Sequence, residues 1–305
     1  MHKEIENELK KKDNIVFGPF IGELGWEILR WSGFVRWYKK TNPEKNIVVS
    51  TRSDRYDLYH NSVDDIDLFR IENDYVNYTP NCYKCDTLPD KMYDLIIHGI
   101  NKKYPGYYIF DPKKFACNRN MFNFQEMDFN YTPHEDNSKI IRKVVKENLN
   151  KKIITISSRH REDSKRTSKR NWGLNNWEEL YNFLNITNKY LVFVAGVSPT
   201  YHKARSVYNN LINLEDYKSN VNLISDIGLT IEAIKQSDMV IGTQSAAILL
   251  SNLLKTPTFF WGDEIERHAV VENIFSTPCF YLEDLFYKSS SVDVYKKFEE
   301  SIGLI

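Results

Sequence analysis

Two polar segments of this sequence carry residue types that bind phosphate groups, and each directly follows a predicted buried strand. The first segment, 157–172, contains His160 and six basic side chains among hydroxyls and amides. These are Arg159, Arg161, Lys165, Arg166, Lys169 and Arg170. Guanidinium groups hold phosphate oxygens through paired, charge-assisted hydrogen bonds. Glu162 and Asp163 also fit an ordinary solvated loop, but a loop at the carboxyl end of a strand favours a binding site.

The second segment is a strand-to-helix turn, Gly242-Thr243-Gln244-Ser245-Ala246, with the helix predicted to start near Ser245. The unpaired N–H groups and the positive dipole end of such a helix attract anions. We expect Ser245 to cap the helix and to contact a phosphate, with Gln244 and Ala246 beside it. Gly, Thr and Ser are also common at helix starts that bind nothing, so this turn alone is a weak signal.

A third turn, 22–27, carries carboxylates instead of cations. A phosphate cradle would avoid acids, so Gly22-Glu23 suggests a general base or a hydroxyl-binding group. A helix N-terminus keeps a carboxylate ionised, as a base requires. We therefore interpret Glu23 as the candidate catalytic residue. Glu27 is interpreted as an acid of the first helical turn that complements the helix dipole.

Other candidates lie near the ends of later elements. Glu232 is expected to accept ribose hydroxyls, and Asp263 and His268 follow the last predicted strand and so are expected to line a cleft. Cys82 and Cys85 have the spacing of half a zinc site, but no second pair follows at the required distance. The sequence thus predicts no metal cofactor. It also lacks the nucleophile-elbow, P-loop and dinucleotide-binding motifs.

Short apolar strands alternate with helices along the chain, a pattern typical of βαβ units around parallel sheets. Strands are predicted at 14–17, 47–50, 66–71, 93–98, 152–157, 190–195, 221–224, 239–241 and 258–261. Residues 100–135 are interpreted as an irregular insertion. The predicted fold is α/β, with two Rossmann-like domains facing each other across a cleft. We expect a first domain at 1–148 and a second at 149–289, with a C-terminal helix at 290–305 packing back on the first.

Composition narrows the class of partner. The 305 residues include 41 basic and 41 acidic side chains, so the net charge is zero. Proteins that bind long nucleic acids usually carry a positive surplus, because phosphate neutralisation supplies most of the affinity. An extended nucleic-acid surface is therefore not expected. The apolar runs fall short of the ~20 residues of a membrane span, which predicts a soluble, cytoplasmic protein, with peripheral membrane association left open.

Several segments together resemble the bacterial lipopolysaccharide heptosyltransferases. Ile21-Gly22-Glu23-Leu24 resembles their Gly-Asp turn, and Lys169-Arg170-Asn171-Trp172 resembles their Lys-Arg-Trp-Pro segment. Segments 229–232 and 237–245 resemble the family's nucleotide-sugar segment, and Pro257 to Gly262 resembles the strand that follows. The resemblance covers most of 150–265 and the N-terminal turn. Gln244-Ser245-Ala246 departs from the family's Asp-Ser-Gly, and Arg159-His160-Arg161 resembles the Arg-rich loop of fucosyltransferases that use GDP-fucose.

This resemblance implies the GT-B architecture and transfer of a sugar from a nucleotide-diphosphate donor to an acceptor hydroxyl. The reaction it implies is inverting and metal-independent, because fixed positive charge assists the leaving diphosphate. Glu23 would replace the family's catalytic Asp. Lys169 or Arg170 would hold the diphosphate, assisted by Ser245 and the Ala246 N–H.

The acceptor is left open among a glycan, a lipid-linked sugar, a protein and a modified nucleobase. Two other functions also stay open. The first is a nucleotide-sugar epimerase or hydrolase of the same fold, for which His160, His268 and Glu264 would supply acid and base groups. The second is a non-catalytic nucleotide-sugar-binding protein, which would keep the basic loop without needing Glu23.

Overall fold

The computed structural model describes most of the chain and divides it into two compact units. The described residues are 3–22, 24–69, 90–112, 127–160, 171–196, 202–220, 226–263, 270, 273–284 and 287–305. The units are Met1–Thr132 and Pro133–Ile305. The division therefore comes before the helix at Glu135–Lys146, whereas the sequence placed a boundary after it.

The first unit contains a four-stranded parallel sheet. Its strands are β1 (Asn14–Phe20), β2 (Asn46–Arg52), β3 (Asp65–Phe69) and β4 (Tyr108–Phe110), in the order β3-β2-β1-β4. Its helices are α1 (Lys3–Lys10), α2 (Leu24–Thr41) and α3 (Asp90–Lys103). Helix α2 has three parts, which are Leu24–Trp26, a π-helical turn at Glu27–Trp31, and Ser32–Thr41. A 3-10 segment, Ser53–Leu58, follows β2.

Aromatic side chains fill the space between α2 and this sheet. Phe17 on β1 contacts Trp31 on α2, with ring centroids 6.0 Å apart. Trp31 stacks on Phe110 of β4 at 5.8 Å. All three rings are buried, and pairs at such distances add to the free energy gained by burying their area. The strand–helix unit that carries the Gly22 turn is therefore held by a dense aromatic core.

Two sequence predictions in this unit are wrong. The predicted strand at 93–98 lies inside helix α3, whose inward face carries Tyr93, Ile96, Ile97 and Ile100 at helical spacing. A short apolar run fits a strand and a buried helix equally well. Here the apolar positions recur at intervals of three and four residues, which is the spacing of a helix. The region 100–135 is not wholly irregular either, because β4 lies within it and pairs with β1.

The second unit contains a six-stranded parallel sheet. Its strands are β5 (Lys152–Ser157), β6 (Tyr190–Ala195), β7 (Leu211–Asn213), β8 (Met239–Thr243), β9 (Thr258–Gly262) and β10 (Cys279–Glu283). Their spatial order is β10-β9-β8-β5-β6-β7. Read from β7, this is the 3-2-1-4-5-6 order of a Rossmann domain. The helices are α4 (Glu135–Lys146), α5 (Leu174–Thr187), α6 (Asp226–Gln236), α7 (Ala246–Leu253) and α8 (Ser291–Ile302).

Helices α4 and α8 pack on this second sheet. Ile141 and Val145 of α4 share a core cluster with Phe193 of β6 and Leu229 of α6. Phe298 of α8 is fully buried in the main core of the unit. Both terminal helices of the unit thus complete the hydrophobic layers of one sheet.

None of the helices within the described residues combines the length and the apolar character needed to span a membrane.

Candidate functional site

The carboxyl ends of β5 and β8 meet at the point where the strand order of the second sheet reverses. Ser157, the last residue of β5, pairs with Gly242 of β8. A Cβ on Gly242 would lie 2.4 Å from the carbonyl oxygen of Ser157, so only glycine fits between the strands. Open α/β sheets bind ligands outside this reversal point, between two diverging chain connections. The two phosphate-binding candidates of the sequence follow these two strands.

Side chains and backbone from both connections are in direct contact here. The hydroxyls of Ser157 and Ser245 lie 2.9 Å apart. Arg159 donates from Nη1 to the backbone oxygen of Gln244 at 3.2 Å. Ser245 is the N-cap of α7, and its Oγ accepts from the N–H of Ile248 at 3.4 Å. The predicted cap is therefore confirmed, and the structure brings Arg159, Gln244 and Ser245 together.

Two buried acceptors at the end of β8 lack a hydrogen-bond partner within the described part of the chain. They are Oε1 of Gln244 and Oγ1 of Thr243. Gln244 is 6% exposed and Thr243 is fully buried. An unsatisfied buried polar group costs about 1–3 kcal/mol, so such groups commonly meet a ligand or water. This turn therefore has hydrogen-bonding capacity in addition to the N–H groups at the start of α7.

The connection between β6 and β7 is hydrogen-bonded to the start of the basic loop. Ser158 hydrogen-bonds to the backbone of His202, its Oγ donating to the oxygen at 2.6 Å and its own oxygen accepting from the N–H at 2.9 Å. The Tyr181 hydroxyl donates to the same His202 oxygen at 3.1 Å. Burial lowers the pKa of His202, and the neighbouring His160 lowers it further, against the opposing effect of Glu178. His160 thus lies close enough to His202, at the carboxyl edge of β5, for their charges to interact.

The far end of the basic loop is fixed by a cluster of three tryptophans. Trp172 packs edge-on against Trp177 of α5 and Trp261 of β9, with centroids 4.8 and 4.9 Å apart. All three are fully buried, and the Trp172 indole donates to the oxygen of Ser289 at 2.8 Å. The loop is therefore held at Arg159 and at Trp172. The candidates Arg161, Lys165, Lys169, Arg170 and His268 lie outside the described residues, as does Glu264.

Glu232 occupies a different setting from the one expected of a ribose ligand. It is 1% exposed, and its carboxylate accepts from Ser138 at 3.1 Å, Arg142 at 2.9 Å and Gln236 at 2.9 Å. These contacts join α4 to α6. Asp263 directly follows β9 and is partly exposed, at the carboxyl edge of the sheet beside β8. A ribose contact from Glu232 stays a prediction, since its three hydrogen-bond partners here belong to the protein itself.

The first sheet has its own reversal point, between β1 and β4. Gly22 follows β1 and is buried, whereas Glu23 lies outside the described residues. Asp111 follows β4 directly, is 8% exposed, and accepts a short hydrogen bond from the Tyr93 hydroxyl on α3. No motif in the sequence marks this carboxylate. Its position could have been inferred only after β4 was recognised as a strand.

Glu27 is an acid of the first turn of its helical segment, as the sequence suggested, but it also makes buried contacts that the sequence did not indicate. Glu27 is fully buried, and its carboxylate accepts from the hydroxyls of Thr51 at 2.9 Å and Tyr59 at 2.7 Å. Its other oxygen accepts from Arg55 at 3.2 Å. Burial raises the pKa of Glu27, against the lowering effects of Arg55 and the two hydroxyls. No signal in the sequence marks this residue, because its partners come from β2 and the segment that follows it.

Comparison with known proteins identifies the fold. No family model matches the chain, and no curated protein sequence matches it. A glycosyl transferase of family 9 from Veillonella parvula DSM 2008 superposes with a TM-score of 0.59 at 9% identity, over 96% of this chain and 98% of that chain. E. coli ADP-heptose lipopolysaccharide heptosyltransferase II gives 0.55 at 11% identity, over 95% and 98%.

An E. coli heptosyltransferase determined with ADP is also similar, with a TM-score of 0.51 at 8% identity, over 94% of this chain and 99% of that chain. At these identities the likeness establishes the fold. The predicted α/β architecture with two Rossmann-like domains, and the structural resemblance to heptosyltransferases, are both confirmed.

Proposed function

We propose that this protein is a glycosyltransferase that moves a sugar from a nucleotide-diphosphate donor to an acceptor hydroxyl. The observation that carries the proposal is the reversal point of the second sheet. There, Arg159 and Ser245 lie on the two connections that a Rossmann domain uses to bind phosphorylated ligands. Arg159 donates to the backbone oxygen of Gln244, and the Ser245 hydroxyl lies 2.9 Å from that of Ser157. The fold shared with solved glycosyltransferases supports the same activity.

In this proposal the diphosphate lies against the start of α7 and the basic loop. The dipole of α7 and the N–H groups of its first turn stabilise negative charge without solvent reorganisation. Arg159, Arg161, Lys165, Lys169 and Arg170 supply the remaining cationic groups. Since the protein neutralises charge on the leaving diphosphate, the transfer proceeds without a metal ion. Glu23 takes the proton of the acceptor hydroxyl, and the acceptor oxygen displaces the diphosphate from the opposite face of the anomeric carbon, which inverts its configuration.

Donor binding is tested by thermal shift with UDP-, GDP-, ADP-, CMP- and dTDP-sugars. A ligand present at 100 times its dissociation constant should stabilise the protein by about 2.7 kcal/mol. The variant Arg159→Gln should weaken binding roughly 10- to 100-fold, because a charge-assisted hydrogen bond contributes about 1.5–3 kcal/mol. Lys139→Gln, on the exposed face of α4, removes one positive charge in the same way and should not change the affinity. No shift with any donor would refute the proposal.

Transfer is tested by release of the nucleoside diphosphate in the presence of glycan, lipid-linked sugar and peptide acceptors. Glu23→Gln should retain donor binding and lose at least 100-fold in rate, within the usual range for a general base. A rate near that of the wild type would show that Glu23 is not the base. Activity that is lost in EDTA would contradict metal independence, and retention of the donor's anomeric configuration would contradict inversion.

The same assays separate the alternatives. A non-catalytic binding protein would bind one donor and transfer nothing to any acceptor. An epimerase or hydrolase would alter the donor sugar with no acceptor present. Its activity would depend on an acid or base such as His160 in addition to the cationic groups.

A further inference from the structure

A chain of four alternating charges lies in the first unit, close in sequence to Glu23; three of its side chains are buried and that of Asp54 is partly exposed. Glu27 accepts from Arg55 at 3.2 Å, and Arg55 donates from Nε to Asp54 at 3.1 Å. Arg52 also holds Asp54, through two hydrogen bonds of 3.1 Å from Nε and Nη2. Glu27 is fully buried, and Arg52 and Arg55 are 8% and 6% exposed. The two positive and two negative charges cancel within the cluster.

The cluster joins two elements at the carboxyl edge of the sheet. Glu27 lies on α2, whose first residue, Leu24, directly follows Glu23 in the chain. Thr51 and Arg52 end β2, and Arg55 lies in the 3-10 segment that follows. Because β2 pairs with β1, the hydrogen bonds of the Glu27 carboxylate fix the start of α2 against the end of β2 and the segment that follows it. The Tyr59 hydroxyl adds the third such bond, at 2.7 Å.

The backbone of α2 at this point is irregular, and the irregularity has its own support. Glu27 begins the π-helical turn Glu27–Trp31. The Ser32 hydroxyl donates to the Glu27 backbone oxygen at 2.9 Å, and the Tyr131 hydroxyl lies 2.8 Å from Ser32. Single π-helical turns inside α-helices are frequent at functional sites, since they redirect the residues before them. Both the side chain and the backbone of Glu27 are thus fixed.

Buried ion pairs are a poor means of gaining stability. Removing charges from water costs more than their mutual attraction returns, and apolar residues of similar volume commonly do as well. What such a network supplies is a fixed geometry, because each charge tolerates only the arrangement that keeps it paired. A general base at Glu23, four residues before Glu27 in the chain, requires a rigid start of α2.

We propose that Glu27 is a positioning residue for the transfer reaction, because through Thr51, Arg55 and Tyr59 it fixes the start of α2, which directly follows Gly22 and Glu23 in the chain. This inference rests on the proposed function, in which Glu23 deprotonates the acceptor. Glu27 does not touch the reacting atoms. It acts by keeping the start of α2 fixed against β2.

The first test compares E27Q, E27D, the double variant E27Q/R55Q and the control Glu44→Gln. E27Q keeps the side-chain shape but leaves Arg55 with one partner fewer, whereas E27D keeps the charge and retracts it by one methylene. The double variant removes one charge of each sign, leaving Asp54 paired with Arg52. It is therefore expected to regain most of the lost Tm. Glu44 is exposed in the same unit, and its variant should behave as wild type.

Two readouts separate positioning from stability. Amide hydrogen exchange of residues 20–31 is expected to accelerate at least tenfold in E27Q and E27D, and to stay fast in the double variant. kcat is expected to fall at least tenfold in all three, while the donor dissociation constant stays within twofold of wild type. If exchange and kcat return to wild-type values together with Tm in the double variant, Glu27 is merely structural and the proposal is overturned.

Failure of the proposed function would look different. A wild-type protein that binds no nucleotide sugar and transfers none refutes glycosyl transfer. The exchange measurement still decides whether Glu27 fixes the turn, since it requires no substrate. If E27Q does not fold, E27D supplies the same comparison with the carboxylate retained.

Discussion

At the scale of single residues, burial and hydrogen bonding identify two carboxylates that hold the fold. Glu27 and Glu232 are both almost completely buried, and each accepts hydrogen bonds from three side chains. A carboxylate removed from water needs such partners, because its desolvation is otherwise uncompensated. At the proposed donor site, the hydroxyls of Ser157 and Ser245 approach each other from the two sides of the reversal point.

Ser245→Ala is expected to cost about 1 kcal/mol of unfolding free energy, since it removes the N-cap of α7. It should also weaken nucleotide-sugar binding, because Ser245 lies at the proposed diphosphate site. Ser290→Ala is the matched control, as Ser290 caps α8 through the N–H of Asp293 at 3.2 Å. Urea denaturation should give similar losses for both. Equal donor affinity in the two variants would contradict a ligand role for Ser245.

His202 is expected to make stability depend on pH. Its pKa is lowered in the folded state, chiefly by burial, so the unfolded chain takes up a proton first as the pH falls. The free energy of unfolding should therefore decrease as the pH drops below about 6.5, the ordinary histidine value. His202→Asn should flatten this dependence, measured by urea denaturation between pH 5 and 8. His98→Asn, on the exposed face of α3, should leave the slope unchanged, and an unchanged slope in His202→Asn would be the contrary result.

At the scale of elements, both sheets bring a glycine against a neighbouring strand at their carboxyl edge. A Cβ on Gly18 of β1 would lie 2.3 Å from the Ser50 oxygen of β2, and one on Gly242 would lie 2.4 Å from the Ser157 oxygen of β5. Ser50 and Ser157 thus each supply the backbone oxygen that leaves no room for a side chain at the neighbouring glycine. In each case the turn that follows the glycine-bearing strand carries candidate site residues, so the close approach of strands fixes where these turns begin.

Gly242→Ala should destabilise the second unit by about 1–3 kcal/mol or more, because the new methyl group meets a backbone oxygen that the β5–β8 ladder holds in place. It should weaken donor binding as well. Gly99→Ala is the control, since nothing lies within 4 Å of its added Cβ on α3. There, alanine should stabilise by about 0.5–1 kcal/mol through its helix propensity. Similar thermal stability of the two variants would refute the steric argument.

At the scale of the whole molecule, each unit has its own sheet and its own core. In the second unit, α4 covers Phe193 and Leu229, and Trp172, Trp177 and Trp261 occupy the main core. A domain of this size, with a complete set of layers, buries enough apolar area to fold alone. The first unit has a separate aromatic core around Trp31 and Phe110.

A fragment of residues 133–305 is therefore expected to unfold cooperatively and to bind the same nucleotide sugar as the full chain. A fragment of 149–305 lacks α4 and exposes Phe193 and Leu229, so it should be less stable by several kcal/mol. Calorimetry and tryptophan fluorescence would compare the two. Equal stability of the fragments would favour the boundary near residue 148 that the sequence suggested.

The sequence by itself determined the local features of this protein. Strand and helix periodicity located most elements of the second unit, and the cap at Ser245 followed from the residue types at a helix start. Motif order in one chain also indicated the fold that the solved structures share. These are properties of neighbours in the chain, which spacing alone records.

Only the tertiary structure decided which distant residues meet. It brought Arg159 into contact with Gln244, placed His202 near His160, and showed that 93–98 lies within helix α3. It also buried Glu27 among partners from β2 and the segment after it. A carboxylate at a helix start has the same local sequence whether it faces water or Arg55. The partners come from elsewhere in the chain, so the packing of strands settles the difference.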